Sequence, residues 1–160
     1  LSRQDSTSST GERELTTREF FSAFEMRAPE ELTRTLSPNF MLGLHYLPPS
    51  QTFLIFKTDS YESAVSGMSD WEINLEEDIG TFLRTPSDFD YASTTDSIIN
   101  RRVFKDAVIK NNDTRAIYDN KNQLLFFYTF LKDRKTLIMT TNPETLGEII
   151  TGLSAKKVQR

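Results

Sequence analysis

Few residues of this chain are of the types that carry chemistry, and their spacing limits what they could do. His45 is the single histidine. It stands between Leu44 and Tyr46, without the HxH or HExxH companion that a zinc site needs, and so reads as a satisfied or exposed strand residue. There are no cysteines, which excludes disulfides, thiolate metal sites and cysteine nucleophiles. No GxSxG elbow, Walker loop or GxGxxG turn occurs, and the six glycines are scattered singly. Glu76, Glu77 and Asp78 run together and could form half of a carboxylate pair or a weak cation site; a solvated helix start is the reading adopted. Asp106, Asp113, Arg115 and Asp119 surround an expected hairpin. Asp113 and Asp119 fall at its turns, where Asp bonds local backbone, and nothing there has calcium-loop spacing. No catalytic residue, cofactor or metal is therefore assigned.

Composition narrows the partners. The 160 residues are 37% hydrophobic, with twelve Phe and five Tyr supplying large buried areas, enough for one ordinary domain. Net charge is −4 with the signs interleaved, which offers no basic face for nucleic acid and no polybasic anchor for acidic lipid. The longest apolar run, Leu124 to Leu131, is far short of a membrane span. The chain begins with Leu1, as a processed product or an excised piece would, so membrane attachment would run through a segment not present in this chain.

The elements that must position these residues follow from periodicity. Residues 1–14, rich in Ser and Thr, read as a flexible linker or tail. Residues 15–155 read as a single α+β domain, with pseudo-repeat halves of about 15–84 and 101–155 joined by a Ser-, Thr- and Asp-rich loop over 85–100. Thr16 or Thr17 caps a helix carrying Phe20, Phe21 and Phe24, and Pro29 restarts it toward Leu32 and Leu36. Strands are expected over Phe40–Leu47, Thr52–Thr58, Arg102–Lys110, Thr114–Tyr118, Leu124–Leu131 and Thr136–Thr141. Leu124–Leu131 is apolar on both faces, as a central strand covered on two sides would be. Asp59 with Glu62 forms a capping box before a helix, with a break near Asn74 and a second helical stretch over Leu75–Leu83. Asn142 caps the last helix, whose stripe is Leu146, Ile149, Ile150 and Leu153.

Two stretches echo each other. Phe53–Met68, FLIFKTDSYESAVSGM, has a counterpart in Thr136–Leu153, TLIMTTNPETLGEIITGL. Each is a strand, a Thr-containing step, a cap and an amphipathic helix, and a strand precedes each. The expected fold is an antiparallel sheet of two ββα units with both repeat helices on one face and the N-terminal helical segment on part of another.

Five phrases, EFFSAFEMRAPEELTRTL, FMLGLH, FLIFKTDSYESAVSGMSDWE, FKDAVIKNNDTRAIYD and TLIMTT, span most of residues 18 to 153. Together they resemble an uncharacterised family of membrane-anchored proteins of candidate-phyla (Patescibacteria-type) bacteria. The resemblance implies an anchor upstream and a domain outside the cytoplasmic membrane, and it carries over no catalytic residues. The resulting expectation is a non-catalytic extracytoplasmic interaction or assembly domain whose partner is another protein or a second copy. A small-ligand-binding domain and an enzyme with an unrecognised site are the alternatives. The expected interaction surface takes in Phe20, Phe21 and Phe24, on a helix that could be displaced, and Asp113 and Arg115 on the hairpin.

Overall fold

In Phe53–Thr58, successive side chains must point to opposite sides of a strand, and every one of the first four is apolar. Both sides therefore need cover. The computed structural model of the chain describes residues 13–46, 51–83 and 102–158 and shows how each side is covered. The expected loop 85–100 and all but the last two residues of the expected tail 1–14 lie outside the described residues.

The chain is α+β, with four helices and six strands among the described residues. In order they are α1 (Thr17–Ala23), α2 (Glu30–Thr33), β1 (Leu36–His45), β2 (Gln51–Thr58), α3 (Tyr61–Leu83), β3 (Lys105–Ile109), β4 (Asn112–Tyr118), β5 (Leu124–Phe130), β6 (Thr136–Thr140) and α4 (Pro143–Val158). The strands form one antiparallel sheet in the order β1-β2-β6-β5-β4-β3. The two ββα units, β1-β2-α3 and β5-β6-α4, thus meet through β2 and β6, and the β3–β4 hairpin extends the second.

One face of the sheet is aromatic. Leu54 and Phe56 of β2, Phe126 and Tyr128 of β5, and Leu137 and Met139 of β6 pack there against Ala64, Met68, Trp71, Leu75, Ile79 and Leu83 of α3. Those α3 residues recur every three or four positions, so one continuous stripe faces the sheet. Phe20 and Phe21 of α1 and Leu32 of α2 complete this layer. On the opposite face, among the described residues, only α4 provides cover: Leu146 and Ile149 lie on Ile55, Ala116, Phe127 and Ile138. Threonines fill much of the rest of that face. Thr114, Thr129, Thr136 and Thr140 are buried in the strands, and Thr145 is buried in α4.

Several expectations change. The repeat helices do not share a face; α1 and α2 join α3, and α4 stands opposite. Around the β2–β6 pair the strands obey a local two-fold: Ile55 faces Ile138, while Leu54 and Phe56 face Met139 and Leu137. A two-fold that relates antiparallel neighbours keeps faces unchanged, so the helices break it. The step from strand to helix supplies the reason. With Ile55 matched to Ile138, Tyr61 of α3 matches Glu144, yet α4 opens one residue sooner, at Pro143. One residue is half a strand repeat and reverses the side from which the chain departs. The register also matches Phe40 with Tyr128, whereas laying FMLGLHYL over LLFFYTFL in the sequence matches it with Leu124.

Helix α3 runs without a break through Asn74, because its buried stripe is uninterrupted. It begins at Tyr61, so Ser60, whose carbonyl accepts from Ala64 N–H, holds the cap position expected for Asp59. Segment Ser37–Asn39 belongs to β1. Pro38 sits in the register break between Leu36 and Phe40, where its missing N–H costs no ladder bond. The β3–β4 turn is Lys110–Asn111, both left-handed, the backbone of a two-residue type I′ hairpin. Thr16 caps α1 with Glu19 in a reciprocal capping box, and Asn142 Oδ1 accepts from the N–H of Glu144 at 2.7 Å.

Candidate functional site

Sheet edges leave backbone donors and acceptors unpaired, so they are natural places for another chain to bind. Among the described residues the two edges are β1 and β3. β1 is ten residues long and contains no Asp, Glu, Lys or Arg. β3 is five residues long and carries Lys105 and Asp106. Short, charged edges resist pairing, whereas long apolar ones invite it.

The backbone of β1 has a definite polarity. The N–H of Thr58 donates to the carbonyl of Lys135, on the β6 side of β2. Strand period two then directs the amides of Phe53 and Ile55 toward β1, where they face Gly43 and Met41. The amides of the intervening residues, Phe40, Leu42 and Leu44, accordingly point outward from the sheet. Their side chains share the aromatic face. Phe40 is held there by Phe20, at a ring separation of 4.8 Å, and by Phe56. Among the described residues no helix covers the strand beyond Phe40: Leu42 is 48% exposed, Leu44 54% and Tyr46 81%. On the other side Met41 is also exposed, and the Phe53 ring lies directly over Gly43. A Cβ at position 43 would clash with Phe53 Cζ, so any other residue there would oblige the ring to move. His45 is anchored by its Nδ1 to Thr145 Oγ1 at 2.9 Å, which ties the end of β1 to α4.

The expected surface residues fall in different places. Phe20 and Phe21 are core residues, 3% and 4% exposed, and Phe21 packs edge-on to Trp71 at 5.3 Å. They are surface groups only on the sequence-level premise that α1 leaves the sheet. Phe24 is half-exposed at the end of α1, packed against Phe82 at 4.6 Å. Asp113 is exposed on β4. Arg115 is half-buried and fully engaged: its Nε and Nη2 donate to Glu72 at 2.9 and 3.0 Å, and its Nη1 donates to Asp106 at 2.9 Å. The bonds to Glu72, first among several causes, raise the guanidinium's pKa further above its ordinary value. Burial raises that of the neighbouring Tyr128 phenol, which stays neutral. This group is a strut between β4 and α3.

The acidic run on α3 is equally committed. It lies in the second half of the helix, away from the start expected for it. Asp78, its side chain 5% exposed, accepts from Trp71 Nε1 at 2.8 Å and from Arg27 N–H and side chain. Glu77 also receives Arg27, and Glu76 pairs with Arg102. Among the described residues no His, Asp or Glu group is placed to hold a metal ion. The arginine partners were not legible in the sequence, because Arg27 and Arg115 lie about fifty and forty residues from the acids they reach.

The sequence did not single out β1 as an edge strand. The signal was present: Phe40 to Tyr46 contain no Asp, Glu, Lys or Arg, and Pro49 follows three residues later in the sequence. No family model, curated protein or solved structure matches the chain.

Proposed function

We propose that this is a non-catalytic interaction or assembly domain, and that its β1 edge accepts an extended segment of another protein as a seventh strand. The observation that carries the reading is the bare edge from Phe40 to Tyr46, with outward amides at Phe40, Leu42 and Leu44 and apolar side chains beside them. Strand addition draws affinity from main-chain bonds and selectivity from alternate side chains. Leu42, Leu44 and Tyr46 would supply that selectivity on one side. The commitment of Glu72, Glu76, Glu77 and Asp78 to arginines supports reading the acidic run as structural. The resemblance described above supports an extracytoplasmic setting, with the domain tethered to the cytoplasmic membrane in the full-length protein.

A photo-crosslinking residue placed in the full-length protein in cells tests this. Substitution at Leu44 should yield a discrete crosslinked product, and substitution at Val108 of β3, comparably exposed, should not. Mass spectrometry then identifies the occupant, and a second copy of the chain is one recognisable outcome. Equal products from both edges, or none from β1, would sink the edge reading. Leu42→Lys should abolish the product while changing stability by no more than about 0.5 kcal/mol, as for other exposed sites.

A further inference from the structure

The threonine-lined face holds a second feature that edge pairing does not use. Helix α4 is too narrow to cover its side of the sheet, and an open groove of about 630 Å³ remains beside its C-terminal half. The end of β2 and the two hairpin turns, β3–β4 and β5–β6, close the other sides. Its volume lies within the range of small-molecule sites.

The lining has two characters. Leu131, Ile150 and Leu153 form an apolar wall, each only partly buried by the domain itself. Lys57, Lys110 and Lys132 contribute three ammonium groups to the same groove. Lys57 spends one of its three N–H donors on Thr136 Oγ1 at 2.8 Å. Lys110 meets Glu144 at 3.2 Å, an exposed pair that water already screens. Among the described residues Asp133 is the only acid lining the groove, and its carboxylate accepts from the N–H groups of Lys135 and Thr136 and from Thr136 Oγ1. A net positive, half-apolar groove thus interrupts a chain whose net charge is −4.

We propose that the groove binds a single-chain anionic amphiphile. Its aliphatic tail would lie along Leu131, Ile150 and Leu153, and its carboxylate or phosphate head would sit among Lys57, Lys110 and Lys132. An ammonium is a point charge that satisfies either head, so the lysines select sign more than shape. The apolar wall in turn disfavours a small hydrated anion without a tail.

The test is calorimetric titration of the folded domain with dodecanoate, dodecyl phosphate and dodecyltrimethylammonium, each below its micelle concentration. The two anions should bind saturably at one site and the cation should not; the ratio of the two anion affinities tells a free fatty acid source from a phosphate-headed lipid. Lys57→Gln with Lys132→Gln should weaken anion binding about tenfold or more. Both lysines are exposed, so thermal unfolding should show the fold retained. Ile150→Asp should abolish binding, and Leu44→Lys, on the other face, should leave it unchanged. Equal binding of the cation, indifference to the lysine substitutions, or association only with phosphatidylglycerol vesicles and never with monomers would overturn the proposal.

Discussion

The two faces of this sheet are built from the same strands and solve the same burial problem with different chemistry. Under α3 the layer is aromatic: Phe21, Phe56, Trp71, Phe104, Phe126 and Tyr128 meet at ring separations between 5.3 and 5.9 Å. Under α4 it is made mainly of aliphatics and threonines, around one fully buried ring, Phe127. Each strand threonine there spends its hydroxyl on a nearby acceptor: Thr114 on the Ala107 carbonyl, Thr129 on the Asp113 carbonyl, Thr136 on the Asp133 carboxylate and Thr140 on the Thr52 carbonyl. Large rings bury the most area per residue and need tight complementary packing. Threonine fits a strand as valine does and stays satisfied when half-wet. The first face is a core that happens to have an exposed end at β1. The second is a thinner layer that leaves a groove. Their tolerance to change should differ accordingly.

Trp71→Ala should give the largest effect. Trp71 is fully buried, and its Nε1 holds Asp78, so truncation leaves a cavity and deprives a buried carboxylate of a donor. Loss of about 3–5 kcal/mol in urea unfolding is expected. A loss under about 1 kcal/mol would mean that the aromatic face packs no more tightly than the other.

Two helical glycines provide the sharpest contrast. Helix propensity alone favours Gly→Ala at both by about 1 kcal/mol. At Gly67 of α3 a Cβ would stand 2.5 Å from Leu32 Cβ and 3.0 Å from its Cα, so α2 must move. Gly67→Ala should therefore destabilise by about 1–3 kcal/mol. At Gly147 of α4 the same atom would meet only Lys110 Cε at 3.8 Å. Gly147→Ala should stabilise by up to about 1 kcal/mol. Thermal unfolding of the two variants side by side checks the sign, and equal signs would erase the distinction between the faces.

The smallest effect concerns acid. Burial works to raise the Asp133 carboxyl, but its two amide donors and the Thr136 hydroxyl outweigh it and hold the group below the usual carboxylate range. A group depressed in the folded state contributes stability above its unfolded value, about 4, and loses it as pH falls through the lower folded value. The β5–β6 turn should thus loosen in acid. Asp133→Asn should flatten that part of the stability–pH profile, and an unchanged acid limb would show the contacts to be without consequence.

Much of the architecture was legible in local pattern. Asp119 accepts from the N–H groups of Lys121 and Gln123, as DNKN composition suggests for a turn. The stripe Leu146, Ile149, Ile150 and Leu153 does pack on the sheet. The all-apolar β5 already implied cover on both sides, yet which helix supplied each side was invisible, because it depends on a one-residue difference in leaving β2 and β6. The apparent interruption at Asn74 misled in the same way. Polar residues Glu72, Glu76 and Asp78 flank the buried stripe and look like a break until Arg115, Arg102 and Arg27 arrive from distant segments.

For the candidate site, the sequence located charge-free, apolar residues at Phe40–Tyr46 but not their position at an edge. Edge or centre is a property of strand order, and strand order follows from long-range pairing that local propensity does not encode. Sequence alone therefore determined the α+β class, the two ββα units, the cap at Asn142 and the turn at Asp119, since each arises from contacts within a few residues. Only the tertiary structure decided that α3 and α4 oppose each other, that β1 ends the sheet, and that Lys57, Lys110 and Lys132 share one groove. Those facts depend on which surfaces compete for burial once the whole chain is present.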